Sequence, residues 1–135
     1  MQRLDISLKY TKNEINNIKE KLKMLIDIKK VKIIVTIPIA NVSQVRDAIC
    51  NAGAGIIGNY TYCTMSTKCT GTFKPSEKAN PYIGEKNKIE FVEEEKLEAV
   101  CDIRKVKNVL KRLRESHPYE EPGIDIIPLI DENDL

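Results

Sequence analysis

At 135 residues, with 22 Lys and Arg against 20 Asp and Glu, the chain is long enough for one domain with a sizeable core and carries a net charge of only +2. A mixed-sign surface with 5% aromatic content and no Trp argues against phosphate-backbone tracking and base-stacking platforms, so no nucleic-acid partner is expected. The opening MQRLDISLKYTKNE holds no apolar run of signal-peptide length, and no stretch approaches the roughly 18 apolar residues of a membrane span. The expectation is therefore a cytoplasmic protein with no membrane partner.

Thr11 and Glu14 have capping-box spacing, and Ile15, Ile18, Leu22, Leu25 and Ile26 follow at one-face helical steps, which predicts an amphipathic helix to about Ile28. Its narrow apolar stripe needs a cover, either the sheet of its own chain or another subunit's helix. We treat residues 1–30 as this helix and residues 31–135 as the domain proper.

KIIVTI (residues 32–37) is β-branched and stops at Pro38, as a buried strand does. A helix then starts near Asn41 to Ser43, with Val42, Val45, Ala48 and Ile49 on its apolar face and Gly53 and Gly55 at its end. Residues 60–66 alternate as a strand. Residues 89–95 predict the next, which 97–101 continue or follow. Asp102 can cap a helix carrying Val106, Val109, Leu110 and Leu113, which ends before Pro118. GIDIIPLI (residues 123–130) is a last strand, and its Pro128 suits a sheet edge or a strand end. After the first helix the order is βαββαβ, the α+β ferredoxin-like arrangement with two helices on one face of an antiparallel sheet. The other face then needs a cover, which another copy of the sheet could supply.

Residues 52–84 hold five of the six glycines, and with HPYEEP (residues 117–122) they concentrate the special residue chemistry. Gly53, Gly55 and Gly58 match G-x-G-x-x-G, but they follow a helix and lead into a strand. A phosphate would meet the negative helix end, so the dinucleotide reading fails and a tight C-terminal turn is expected, with Asn59 available for an unusual dihedral or a cap. Between the strands at 60–66 and 89–95 lie about twenty residues, far more than a hairpin turn needs. Phe73, Tyr82 and Ile83 can anchor them as an ordered loop, or serve equally well in a strand extension that folds back on the sheet.

His117 is the one histidine. With Glu120 and Glu121 it could hold a divalent cation, whereas a simpler role is to end the preceding helix, whose negative pole favours it. Cys50, Cys63, Cys69 and Cys101 form no CxxC pair and read as free, partly buried thiols. No nucleophile elbow, phosphate loop or HExxH is present, so no catalytic residue is assigned.

The strings DAICNAGAGIIGNYTYCTMSTKCTGTFKP, NPYIG, VEEEKLEAVC and HPYEEPGIDIIPL resemble the inserted domain of the Nif-three-like (YqfO) family. That insert is a PII-like or CutA-like ferredoxin fold lying between the two halves of a larger metal-binding protein. The likeness covers roughly residues 32–129. It implies a stand-alone version of the insert without the family's two-metal site. The GTP cyclohydrolase-type name of full-length relatives is therefore not carried over. It further implies a homotrimer in which residues 66–88 take the place of the long regulatory loop. The reading that results is a binding or regulatory module with clefts between subunits for a small molecule or a protein. Gly58, Asn59, Tyr60, Cys63, Gly71, Thr72, Phe73, Pro81, Tyr82, Gly84, His117, Tyr119 and Glu120 are the ligand-binding candidates. The alternative is a divalent-metal protein or metal-dependent hydrolase using His117, Glu120 and Glu121, with a metal ion as its cofactor.

Overall fold

The computed structural model describes residues 9–135, including all side chains but those of residues 24–26. The expectations for residues 1–8, and for the Leu25 and Ile26 side chains, lie outside the described residues. Helix α1 (Lys12–Ile26) begins with the anticipated capping box: Glu14 N donates to Thr11 Oγ1 at 3.2 Å, and Thr11 N donates to the Glu14 carboxylate at 2.6 Å. Ile15 and Ile18 are half-buried and Leu22 is exposed, so the described part of this stripe is only partly covered.

The domain itself runs β1 (Lys30–Pro38), α2 (Val42–Asn51), β2 (Thr64–Phe73), β3 (Glu90–Asp102), α3 (Val106–Ser116) and β4 (Ile124–Leu129). All neighbouring strands are antiparallel, in the order β2-β3-β1-β4, which is the ferredoxin-like sheet. Strand alternation sends Val31, Ile33, Val35 and Ile37 of β1 and Leu97, Ala99 and Cys101 of β3 to one face. There they meet Val45 and Ile49 of α2 and Val109 and Leu113 of α3, all nearly inaccessible to solvent. Pro128 sits on edge strand β4, where a missing N–H costs no ladder bond to a further strand. Asp102 caps the 3-10 turn Ile103–Lys105 that leads into α3, accepting from Arg104 N at 2.9 Å.

The glycine segment ends α2 in a Schellman turn: Gly53 N donates to Cys50 O and Ala54 N to Ile49 O, with Gly53 at φ +114°. Asn59 takes no left-handed dihedral. Among residues other than glycine here, Tyr62 does, at φ +57°, with its hydroxyl on Asn51 Oδ1 at 3.0 Å.

Two strand boundaries differ from the sequence expectation. Residues 60–63 are not strand, because Cys63 N is bonded to Gly55 O at 2.8 Å and Tyr62 turns the chain, so pairing with β3 starts only at Thr64 opposite Ala99. From there β2 continues without a break through Thr70, Gly71 and Thr72 to Phe73, which pairs with Glu90. The long connection is therefore residues 74–89, and TGTF belongs to the strand that leads into it.

Candidate functional site

The unbroken β1, β2 and β3 register places Glu94 on the face opposite Leu97, Ala99 and Cys101, the face without helices. Yet Glu94 is only 4% exposed. Its cover comes from the 74–89 loop and from the turn after α3. Pro75 is buried and Ala79, Pro81 and Ile83 are half-buried, while Asn87 N donates to Pro75 O at 2.7 Å and Asn80 N donates to Glu120 Oε2 at 3.0 Å. These contacts fold the loop back over the open sheet face and tie it to the segment after α3.

Beneath the loop lies a cavity of about 320 Å³, lined by Thr36, Thr72, Phe73, Lys74, Pro75, Ala79, Pro81, Tyr82, Ile83, Glu94, Tyr119, Glu120, Glu121 and Gly123. Tyr119 is its central ring. Phe73 stands 6.1 Å away at an interplanar angle of 56°, and Tyr82 stands 6.4 Å away at 54°. The Tyr119 hydroxyl donates to Glu94 Oε2 at 3.1 Å, the one hydrogen bond to that carboxylate among the described residues. Burial first, and then the adjacent Glu94 carboxylate, hold the Tyr119 phenol well above its ordinary pKa, so the hydroxyl remains a donor.

Gly71 makes the carboxylate's position possible. A Cβ there would lie 1.8 Å from Glu94 Oε1 and 3.0 Å from its Cδ. His117 works from behind the cavity. Tyr119 N donates to its Nδ1 at 3.1 Å, which puts the ring proton on Nε2, 2.8 Å from the Thr36 carbonyl. Its ring lies 4.9 Å from that of Tyr119, and its backbone N–H closes α3 on Leu113 O. Burial pushes its pKa down, against the opposing pull of the Thr36 carbonyl and Glu94.

Of the sequence-derived candidates, Thr72, Phe73, Pro81, Tyr82, Tyr119 and Glu120 line this cavity, and Gly71 and His117 support it. Gly58, Asn59, Tyr60 and Cys63 belong to the turn after α2 and do not reach it; Gly84, at φ +92°, turns the loop beside Glu90. Glu94 and Thr36 escaped sequence reading. Glu94 sits in an acidic run, Glu93 to Glu95, in which no periodicity marks the middle residue as buried.

The residues present do not fit the metal reading. Among the described residues no three His, Cys, Asp or Glu side chains gather as a ligand set. Both His117 nitrogens are engaged, Glu120 accepts from Asn80, and Glu121 lies 3.7 Å from Arg114. The four cysteines are free; Cys50 and Cys101 are buried, and that burial raises their thiol pKa values. A wider hollow of about 710 Å³ lies between the end of α1, the end of β4 and the C-terminal turn, but its lining has no aromatic ring and its polar groups include the exposed Lys29–Asp134 pair.

Comparison with known proteins agrees with this architecture. The chain is 48% identical over 103 residues to the GTP cyclohydrolase 1 type 2 homolog of Halalkalibacterium halodurans, and 44% identical over 98 residues to that of Bacillus subtilis. A crystal structure of a Bacillus cereus protein related to NIF3 superposes with a TM-score of 0.67 at 37% identity, over 76% of this chain. This is a NIF3-related domain. No family model matches the chain. The NIF3-related domain accounts for 76% of this chain but only 28% and 26% of the two relatives, so it spans about a quarter of their length. The CutA structure from Synechococcus elongatus shares its fold, with a TM-score of 0.57 over 76% of this chain and 79% of that one, at 14% identity.

Proposed function

We propose that this chain is a small cytoplasmic binding or regulatory module of the NIF3-related type, assembled as a homotrimer and acting by binding rather than by turnover. The observation that carries the reading is the cavity under the 74–89 loop. An ordered loop folds over the open sheet face, and a buried carboxylate, Phe73, Tyr119 and the loop's own Tyr82 line the cavity between them. Clefts lined mainly by apolar and aromatic groups, with few fixed polar atoms, are the usual form of small-ligand sites, and about 320 Å³ lies at the lower end of their range.

The trimer is supported by the CutA-like fold and by the state of the open sheet face. Ile127 and Met65 lie on that face by register and are solvent-exposed, and Ile34 and Val100 beside them are half-buried. These apolar side chains gain by packing against a neighbouring subunit, and three copies in a closed ring can each cover the next. The cyclohydrolase-type name of the longer relatives describes proteins of which this domain is about a quarter, and no turnover is proposed from it.

Native mass spectrometry of freshly purified protein tests both parts. A mass of three 15.4 kDa chains carrying a discrete adduct supports the module as stated. A monomer with no retained mass, and no chemical-shift change at Tyr82 or Tyr119 across a fragment screen, overturns it.

A further inference from the structure

We propose that the cavity under the 74–89 loop recognises a small organic cation, an amine or quaternary ammonium group, with Glu94 as its counter-ion and Tyr119, Phe73 and Tyr82 as its aromatic walls. The inference rests on the reading of that cavity as a ligand site and adds the chemical class of the ligand.

Three observations carry it. The first is the Glu94 carboxylate itself, 4% exposed and drawn to the cavity by a single hydrogen bond from Tyr119 to Oε2. No other donor among the described residues reaches it, and its unbonded oxygen is not sealed off but keeps accessible surface at the cavity it lines, where a cation can meet the charge. The second is the arrangement of the rings. Phe73 and Tyr82 flank Tyr119 at 6.1 and 6.4 Å, tilted by 56° and 54°, so their faces form separate walls instead of a closed stack. Ring faces carry negative quadrupole density, which attracts a cation within about 6 Å of the centroid and strengthens on desolvation. The third is the charge of the mouth. Glu121 at the rim is engaged by Arg114 at 3.7 Å, which leaves Glu94 and Glu120 against one lining cation, Lys74, so the lining is acidic by one charge in a protein whose overall charge is +2. A phosphate or carboxylate ligand would face that field unfavourably.

Gly71 belongs to the same design. Any side chain at that position would occupy the place of Glu94 Oε1, the oxygen that carries no hydrogen bond among the described residues and is left for a ligand.

The test uses choline and its uncharged isostere 3,3-dimethyl-1-butanol, followed by two-dimensional NMR and by tyrosine fluorescence in the full chain, which has no Trp to mask the signal. The expected result is saturable binding of choline with shifts at Phe73, Tyr82 and Tyr119, at least tenfold tighter than the isostere. Glu94→Gln, which keeps shape and an acceptor for Tyr119, should weaken choline at least tenfold and leave the isostere nearly unchanged. Tyr82→Leu, at a 59% exposed rim position where folding is not at stake, should weaken choline several-fold while retaining apolar bulk. Equal binding of the two probes, or tighter binding of acetate or inorganic phosphate, overturns the cation assignment while leaving a ligand site. No shift at these rings with either probe or with a neutral fragment set overturns both the assignment and the ligand site on which it rests.

Discussion

Both ring nitrogens of His117 are committed in the neutral form, Nε2–H to the Thr36 carbonyl and Nδ1 to Tyr119 N–H, and burial lowers the pKa below its ordinary value near 6.5. Protonation would turn Nδ1 into a donor facing another donor. The folded state therefore holds fewer protons than the unfolded state once pH falls below the ordinary histidine value. The stabilisation is complete above about pH 6.5 and is lost as pH falls towards the folded-state value, with a slope of at most one proton. Urea titrations at several pH values should show that slope in the wild type and a flatter one in His117→Gln; parallel profiles would mean that the ring titrates freely. At Gly71 the constraint is steric. Gly71→Ala should push Glu94 off the Tyr119 hydroxyl and cost about 1–3 kcal/mol of unfolding free energy, as overpacking does. An unchanged denaturation midpoint would show that the Glu94 carboxylate swings aside freely.

Among elements, α1 and α3 stand at opposite extremes of commitment. Leu113 of α3 has no measurable exposure and packs in the single core, so Leu113→Ala should cost about 2–5 kcal/mol in a global unfolding transition. Thr11 caps a helix whose described apolar stripe is only partly covered, and Thr11→Ala should cost about 1 kcal/mol of local helix stability. That loss should appear as fewer helical residues by circular dichroism or faster amide exchange in α1, while the denaturation midpoint of the domain stays put. A matching drop in the global midpoint would show that α1 is part of the cooperative unit. The capping box itself was legible because it is local, three residues apart. The start of β2 was not, because residues 60–63 alternate like a strand but are held by Cys63 N on Gly55 O, a contact made by the path of the chain.

For the whole molecule, the open sheet face and the α1 stripe are two surfaces whose part in an assembly can be separated. Removing residues 1–28 and measuring subunit number by native mass spectrometry separates them. Retention of the trimer mass is expected if the sheet face holds the subunits together, and dissociation would assign that role to α1.

Periodicity and turn chemistry along the chain determined the βαββαβ order, the sheet's apolar inner face and the tight glycine turn that ends α2, because each depends on residues close in sequence. The strings around Gly53, Thr72, Tyr82 and His117 were enough to place the chain among the NIF3-related domains and to point at one end of the fold. Tertiary structure alone decided which of those residues meet. It separated Gly58, Asn59, Tyr60 and Cys63 from the cavity, turned His117 into a support for Tyr119, and buried Glu94. The physical reason is that burial on the helix-free sheet face comes from a loop folding across it. Whether a carboxylate in an acidic run is solvated or enclosed depends on that cover and on the missing side chain at Gly71, neither of which leaves a period in the sequence.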